Sequence, residues 1–377
     1  MKNLIIKKMS VIILLIIISL SANLFAVDKD ATFSVQKSDM VVVNLKQGNI
    51  VVNTTDKNEV KVHAINMDED EVNLLTMEQK SGKVEIKFKG QDSDDFKLEL
   101  TLPADLALDF TTGGGNISVN NDLKNKISFT TGGGNISVKN TFGNATITTA
   151  GGNIKFGDIN GDAEITTAGG DIVVGVVNGK ADISTSGGNI NVSSVNKTAD
   201  ISTAGGNVSV GTIGGNADVS TAGGNVTVGA VSGTADVSTA GGNIILDGAT
   251  GKVEANSGAG NINLKNVKGS IEANTGAGNI TAQLTPDGEN KSELNSGVGD
   301  ITLFIPEYSD VTITATTNDF KWGSEKDSEN IKTDFESSNV SQLRKGNKFE
   351  AIYKLNGGGS EIELNVGMGE ISIKKLK

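Results

Sequence analysis

Apolar, mostly β-branched residues recur every 18 positions between Ile136 and Ile280. A second apolar column lies two residues after the first. Since alternate residues of a β-strand point to the same face, the two columns predict a short strand with one buried face in every repeat. The first column comprises Ile117, Ile136, Ile154, Ile172, Ile190, Val208, Val226, Ile244, Ile262, Ile280 and Ile301.

The other half of each repeat carries apolar pairs whose summed volume stays constant. Ala235 precedes Val237 by two residues, whereas one repeat later the order reverses to Val253 and Ala255. Neighbouring side chains in a close-packed interior compensate for one another in this way. We therefore expect residues 18 positions apart to lie above one another in one narrow apolar channel.

Glycines separate the predicted strands. One series is exemplified by Gly205 and Gly206, and a second by Gly215 and Gly233. We interpret both as tight turns in which glycine supplies backbone angles that a Cβ atom would forbid. One repeat cannot bury its apolar side alone, but stacked repeats can. The predicted fold class is therefore all-β: a single-chain β-solenoid (β-helix) of about 18 residues per coil, of either hand, with irregular N- and C-terminal capping strands.

The points at which the 18-residue repeat begins and ends predict four segments. Residues 1–26 are expected to be a signal peptide, residues 27–107 an N-terminal β cap with irregular coils, residues 108–303 the regular 18-residue-repeat solenoid, and residues 304–377 C-terminal β coils and a cap.

The signal peptide is predicted from lysines at the start, an apolar run that ends at Leu20, and small residues up to Ala26. An uncleaved membrane anchor is the alternative, although the run is short for a bilayer. The prediction is export to the periplasm, the cell surface or the extracellular space, with no transmembrane segment after cleavage.

Composition excludes several functions. The net charge is −12, Arg344 is the one arginine and cysteine is absent. A nucleic-acid binder needs a basic surface, so no nucleic-acid partner is expected. With His63 as the single histidine, neither a cluster of several histidines around a metal nor a Ser-His-Asp triad within the repeats can form. We predict no catalytic residue, no cofactor and no metal site.

An acidic column runs beside the second strand and, by alternation, points outward. A strip that binds divalent cations is one hypothesis, because carboxylate oxygens suit calcium. The favoured interpretation is a solvated acidic face that keeps the protein soluble, since a straight column offers few ligands per ion. The column includes Glu164, Asp182, Asp200, Asp218, Asp236, Glu254 and Glu272.

An asparagine column occupies the turn before the first strand. A row that binds sugars is one interpretation, but we favour a structural ladder in which stacked amides hydrogen-bond along the coils and fix their register. The ladder is expected at Asn153, Asn189, Asn207, Asn225, Asn243, Asn261 and Asn279, with Asp171 and Asp300 as interruptions.

Several stretches outside and within the repeats resemble a known family. "VVVNLKQGNIVV", "LELTLPADLALDFTTGGGNISV" and the closing "ITLFIPEYSDVTITATTNDF" and "GSEIELNVGMGEISI" are similar to bacterial β-strand-repeat proteins called "putative adhesins", an exported domain of unknown function with Gly-Gly-Asn-Ile repeats. The resemblance covers nearly all of residues 35–375. It implies an envelope protein with a β-helix and brings no catalytic residues.

The favoured function is an exported, non-enzymatic solenoid of the cell envelope or the medium: an adhesin or structural protein, monomeric, that binds a surface protein or a glycan through its long repeat faces. A self-assembling envelope scaffold is an alternative, although its ends would have to match. A carbohydrate-active β-helix enzyme is a further one, but it needs basic residues beside acidic ones, and the repeats contain no arginine and few lysines.

Overall fold

A computed structural model describes residues 26–90, 96–288, 290–318, 330–336, 340–345 and 348–376. Apart from Ala26, with which the first strand begins, the predicted signal peptide lies outside the described residues. The chain divides into two compact units, 1–152 and 153–377. The four predicted segments remain a prediction.

In its described residues, unit 1 contains twelve strands and one short 3₁₀ turn at Val72–Leu74. The strands are β1 (Ala26–Ser34), β2 (Met40–Leu45), β3 (Asn49–Thr55), β4 (Glu59–Asp68), β5 (Leu75–Lys80), β6 (Lys83–Phe88), β7 (Lys97–Pro103), β8 (Ala107–Thr112), β9 (Ile117–Val119), β10 (Ile127–Thr131), β11 (Ile136–Val138) and β12 (Ala145–Thr149).

These strands form two sheets. Sheet A of unit 1 has the order β1-β4-β7-β3-β9-β11, and sheet B the order β5-β6-β2-β8-β10-β12. The pairs β1–β4, β4–β7 and β5–β6 are antiparallel, and the others are parallel. The coil of β2 and β3 therefore lies between the coil of β6 and β7 and the coil of β8 and β9, out of chain order. Buried side chains fill the interior, where the rings of Phe110 and Phe129 stack with centroids 5.0 Å apart.

Unit 2 contains the remaining strands. They are β13 (Ile154–Phe156), β14 (Ala163–Thr167), β15 (Ile172–Val177), β16 (Ala181–Thr185), β17 (Ile190–Val195), β18 (Ala199–Thr203), β19 (Val208–Ile213), β20 (Ala217–Thr221), β21 (Val226–Val231), β22 (Ala235–Thr239), β23 (Ile244–Ala249), β24 (Val253–Ser257), β25 (Ile262–Gly269), β26 (Ile271–Ala277), β27 (Ile280–Pro286), β28 (Ser292–Val298), β29 (Ile301–Ile305), β30 (Val311–Asn318), β31 (Ile331–Thr333), β32 (Val340–Lys345), β33 (Lys348–Leu355), β34 (Ser360–Met368) and β35 (Ile371–Lys375).

Odd- and even-numbered strands alternate between two sheets from β13 to β29. Sheet A of unit 2 ends β27-β29-β35-β31, and sheet B ends β28-β34-β30-β33-β32. The coil of β34 and β35 is thus inserted between the coil of β28 and β29 and the coil of β30 and β31. The antiparallel strands β33 and β32 complete sheet B beyond β30, and such pairing covers a strand edge that would otherwise invite aggregation.

The stacking of residues 18 positions apart is confirmed in unit 2. Ala235 pairs with Val253, and Val237 with Ala255, in parallel register between β22 and β24. All four side chains are buried. The predicted exchange of large and small side chains therefore takes place between neighbouring coils of one continuous core, and unit 2 has the predicted β-solenoid architecture.

The glycine pairs have a different cause from the predicted one. Gly206 and Gly224 are absent from the described glycines with positive φ, so the expectation of left-handed backbone angles there is wrong. A Cβ atom on Gly224 would instead overlap the carbonyl oxygen of Gly206 in the preceding coil. The first glycine of the turn is less crowded: a Cβ atom on Gly241 would lie 3.6 Å from its nearest neighbour. At Gly206 and Gly224, close stacking of coils, and not local conformation, requires glycine, whereas Gly299 and Gly369 at the equivalent position near the C-terminus also have positive φ.

Candidate binding groove on sheet B of unit 2

An open groove of about 1050 Å³ follows the outer face of sheet B from β14 to β28. Eight strands at the usual spacing make it about 34 Å long. Its floor is a row of hydroxyl groups that gives way to a row of amides, which we call the hydroxyl-amide row: Thr166, Ser184, Ser202, Ser220, Ser238, Asn256, Asn274 and Asn295.

The strand sequence explains the row. In Ala199–Thr203, which reads ADIST, the first, third and fifth residues are buried, and Asp200 and Ser202 point outward. Successive strands repeat this pattern in register, so that Asp200 pairs with Asp218 and Ser202 with Ser220. An acidic row and the hydroxyl-amide row consequently run side by side on one face.

The amide end of the floor is internally hydrogen-bonded. The Nδ2 group of Asn274 donates to Oδ1 of Asn256 at 2.9 Å, and that of Asn295 to Oδ1 of Asn274 at 2.8 Å. At the other end, the hydroxyls of Ser202, Ser220 and Ser238 have no side-chain hydrogen-bond partner within the described part of the chain. These hydroxyls are therefore available to a ligand.

A row of threonines lies along the edge of the groove, and their hydroxyl groups are already hydrogen-bonded within the protein. The Oγ1 hydroxyl of Thr221 donates to the carbonyl oxygen of Gly206 at 2.8 Å and accepts from the backbone N–H of Gly224 at 3.3 Å. Thr203 and Thr239 make the equivalent bonds. This row ties each turn to the preceding coil and to itself.

The structure brings all seven residues of the proposed cation strip into adjacent strands. Their register runs from Glu164 through Asp182, Asp200, Asp218, Asp236 and Glu254 to Glu272. We call this the acidic row. Across the described ranges, no three Asp, Glu, His or Cys side chains are grouped so that they could hold one metal ion.

Among the described residues, a single lysine, Lys252, forms ion pairs with the acidic row, at the end that follows Asp236. The Nζ group of Lys252 lies 2.8 Å from Glu272 and 3.7 Å from Glu254, and the hydrogen bond to Glu272 raises the pKa of Lys252. The five carboxylates from Glu164 to Asp236 form no ion pair within 4.0 Å in the described residues. These five carboxylates lie on the same outer face as the groove, and none of them is among the residues that line it.

Two of these carboxyl groups have raised pKa values. Burial is the first cause for Asp200, and the charges of Asp218 and Asp182 add to it. For Asp236 the causes are burial and then the charges of Asp218 and Glu254, which Lys252 partly opposes. Burial and the charges of neighbouring carboxylates thus both disfavour the ionised forms of Asp200 and Asp236.

The asparagines of the predicted ladder lie at the exposed turn beyond the groove. The Oδ1 atom of Asn207 accepts from the backbone N–H of Asn225 at 2.8 Å and from its Nδ2 group at 3.2 Å. The same two bonds join Asn189 to Asn207, Asn225 to Asn243, and Asn243 to Asn261. The backbone bond also joins Asn261 to Asn279 and Asn153 to Asp171. We interpret these links as a register-setting ladder, and their amides are therefore not free for sugars.

His63 lies apart from the groove, in unit 1. Its Nδ1 atom is 2.6 Å from Oδ1 of Asp30 on the neighbouring strand, and both side chains are partly exposed. The described residues contain no helix long and apolar enough to span a membrane.

The hydroxyl-amide row did not emerge from the sequence analysis. The signal was present in "ADIST" and "ADVST", where the second and fourth residues alternate with the buried ones. The apolar and acidic columns keep one chemical type throughout, whereas the outward position before Thr203 changes from threonine to serine and then to asparagine along the coils. Reading both outward positions together would have found the two rows.

No curated protein matches the chain. Among solved structures, a "putative adhesin" from Parabacteroides merdae ATCC 43184 is 14% identical over 65% of this chain and 95% of its own, with a TM-score of 0.32. A "putative adhesin" from Parabacteroides distasonis ATCC 8503 is 16% identical over 69% of this chain and 94% of its own, with a TM-score of 0.30. The profile of the Toastrack DUF4097 family matches residues 32–228 and 195–308. The family resemblance expected from the sequence is thus confirmed, and the chain belongs to the Toastrack DUF4097 family.

Proposed function

We propose that this protein is an exported, non-enzymatic binding protein of the adhesin type, which holds an extended ligand in the groove of unit 2. The observation that carries the proposal is a groove about 34 Å long whose floor carries hydroxyls in register, with the acidic row on the same outer face of sheet B. Repeats of one coil present the same groups at each step, which suits a ligand that is itself a repeating polymer.

The arrangement favours binding over catalysis. A glycosidase needs two carboxyl groups that flank the scissile bond, one as acid and one as nucleophile or base. The carboxylates of the acidic row all lie on one outward face, where alternation of β-strand residues places them. Two members of this row would therefore approach a ligand from the same side, and they could not flank a scissile bond as the two carboxyl groups of a glycosidase do.

Export is part of the proposal and rests on the sequence of residues 1–26. Its test is the position of the protein in its own cells: the full chain should be recovered from the envelope or the medium, and a chain that lacks residues 2–26 should stay in the cytoplasm. Cytoplasmic retention of the full chain would contradict export and leave the groove to be tested separately.

The binding test compares two faces of the same coils. Ser202→Tyr with Ser220→Tyr would fill the groove with two rings. The control, Ser209→Tyr with Thr227→Tyr, places the same rings on the exposed face of sheet A, since these residues also point outward.

Each variant is incubated with intact cells and with a panel of immobilised polysaccharides, and its thermal unfolding is measured. We expect the groove variant to lose binding about tenfold or more, the control to bind like the wild type, and both to unfold near the wild-type temperature. Equal binding by the groove variant, or turnover of a polysaccharide, would refute the proposal.

A further inference from the structure

We propose that the hydroxyl end of the groove, which runs from Thr166 to Ser238, binds an uncharged glycan, and that the acidic row beside it excludes anionic polymers. This inference rests on the proposed function and specifies the ligand and the place where it binds. Three properties carry it: the chemistry of the lining, the state of its hydrogen-bonding groups, and the distance to the neighbouring charges.

The lining of the groove is neutral. The described residues that form it are threonine, serine, alanine, glycine and asparagine, so hydroxyl, amide and methyl groups face the ligand and no charged side chain does. A carboxylate, sulfate or phosphate on a bound polymer would lose water here without gaining a cationic partner, which costs free energy. The lining therefore favours a ligand that carries no charge.

The same lining favours a sugar over a polypeptide. A protein partner is held mainly by large aromatic and apolar side chains that fill pockets, and the described lining contains no aromatic residue and no apolar residue larger than alanine. A serine hydroxyl both donates and accepts hydrogen bonds, so the row complements the hydroxyl groups of a glycan.

Free hydrogen-bonding groups lie at one end of the groove. At the amide end, the Nδ2 group of Asn295 donates to Oδ1 of Asn274 at 2.8 Å and to Oε1 of Glu293 at 2.9 Å, so both of its hydrogens are used. At the hydroxyl end, the three serines from Ser202 to Ser238 have no side-chain hydrogen-bond partner within the described part of the chain. The hydroxyl end spans five strands, or about 19 Å, and is where a ligand gains most hydrogen bonds.

The acidic row runs parallel to the hydroxyl end at a short distance. Asp200 and Ser202 are two residues apart on one strand and point to the same face, which places their Cα atoms about 6.7 Å apart. The carboxylates from Glu164 to Asp236 are exposed and form no ion pair in the described residues. Since the Debye length at physiological salt is about 8 Å, they repel an anionic group that lies on the serine row. Unfavourable contacts with the wrong ligand are a source of specificity.

The experiment uses linear oligomers of β-linked glucose, mannose and N-acetylglucosamine as neutral probes. The same oligomers after carboxymethylation are the anionic probes, so the two members of each pair share one backbone. Binding to the full chain is measured by calorimetry at low and at physiological salt. We expect a neutral oligomer to bind, its affinity to rise with length up to about 19 Å, and its carboxymethylated form to bind about tenfold more weakly or less.

The first pair of variants tests the hydroxyls. The test variant removes three of them from the floor of the groove: Ser202→Ala, Ser220→Ala and Ser238→Ala. Its control removes three exposed hydroxyls from sheet A: Ser193→Ala, Ser209→Ala and Thr227→Ala. We expect the test variant to bind the neutral oligomer about tenfold more weakly or less, since it loses three hydrogen bonds, and the control to bind like the wild type.

The second pair of variants tests the acidic row. The test variant is Asp182→Asn, Asp200→Asn and Asp218→Asn together. The control has the same net charge and replaces carboxylates that pair with lysines away from the groove, at 2.8, 2.6 and 2.6 Å: Asp247→Asn, Glu307→Gln and Glu370→Gln. At low salt the test variant should bind the carboxymethylated oligomer about tenfold more tightly than the wild type does, and the control should show no such gain.

Four results would overturn the inference: no binding of any neutral oligomer, equal binding of neutral and carboxymethylated forms by the wild type, an unchanged hydroxyl variant, or an equal gain in both charge variants. Thermal unfolding of each variant shows that it is folded. If the neutral oligomers fail to bind while the tyrosine-filled groove still abolishes binding to cells or to another polysaccharide, this inference is wrong and the proposed function survives.

Discussion

In β22 a small side chain, Ala235, precedes a large one, Val237, whereas in β24 the large Val253 precedes the small Ala255. Two substitutions in β24 can shift this change of order to the next coil. Val253→Ala removes two methyl groups from a position that is fully buried between Ala235 and Ile271. The lost transfer free energy is about 1.6 kcal/mol, and the void adds about 1 kcal/mol. Ala255→Val inserts the same volume two residues away and should cost about 1–3 kcal/mol by overpacking.

The double variant, which combines Val253→Ala with Ala255→Val, restores the volume of the coil. Strand β24 then has the small side chain at position 253 and the large one at position 255, as β22 has in Ala235 and Val237. The change of order therefore falls between β24 and β26, where Ile271 is the large residue. We expect its free energy of unfolding to lie within about 1 kcal/mol of the wild type, which implies a coupling energy of about 3 kcal/mol between the two substitutions.

Urea unfolding of the full chain, followed by circular dichroism, measures the global effect, and hydrogen exchange of the β24 amides measures the local one. Ser232→Ala, an exposed substitution nearby, serves as the control and should change stability by less than about 0.5 kcal/mol. Additive effects of Val253→Ala and Ala255→Val would refute the idea that both side chains share one packed layer.

Three further predictions concern the turns and the acidic row. Gly242→Ala should cost about 4 kcal/mol or prevent folding, because its Cβ would overlap the carbonyl of Gly224, whereas Gly241→Ala should cost less than about 1 kcal/mol; equal urea midpoints would contradict this. Thr221→Val should cost about 1–3 kcal/mol in urea unfolding, since it removes both hydrogen bonds of a buried hydroxyl, and Thr221→Ser should recover most of that. Burial and neighbouring charges raise the pKa of Asp200 above 3.8, so ionisation destabilises the folded state. Asp200→Asn should therefore stabilise the protein by about 0.5 kcal/mol after screening at neutral pH, and this gain should disappear below about pH 3.8; a gain that is constant with pH in thermal unfolding would refute the assignment.

Part of the candidate site could be found from the sequence. The outward direction of the acidic row follows from the sequence, because the period brings Asp200 and Asp218 to equivalent positions and strand alternation sets their direction. The groove itself could not be found in this way. It exists because small turn residues such as Ala204 and Ala222 leave the adjoining row of serines open along many coils, which is a property of the packed surface.

Sequence alone determined the coil of unit 2, because the interacting residues are copies of one another at a fixed interval. The exchange of a small for a large side chain between Ala235 and Val253, with the opposite exchange two residues later, predicts that these residues are in contact. That contact sets the register of the whole stack. Only the tertiary structure decided the ends, where residues from distant segments are inserted. The backbone N–H of Asn116 donates to the side-chain Oδ1 of Asn49, 67 residues away, and that of Glu370 donates to Oδ1 of Asp300, 70 residues away. The tertiary structure also decided why the turns need glycine, since the carbonyl that excludes a Cβ atom belongs to the neighbouring coil and has no local signature in the chain.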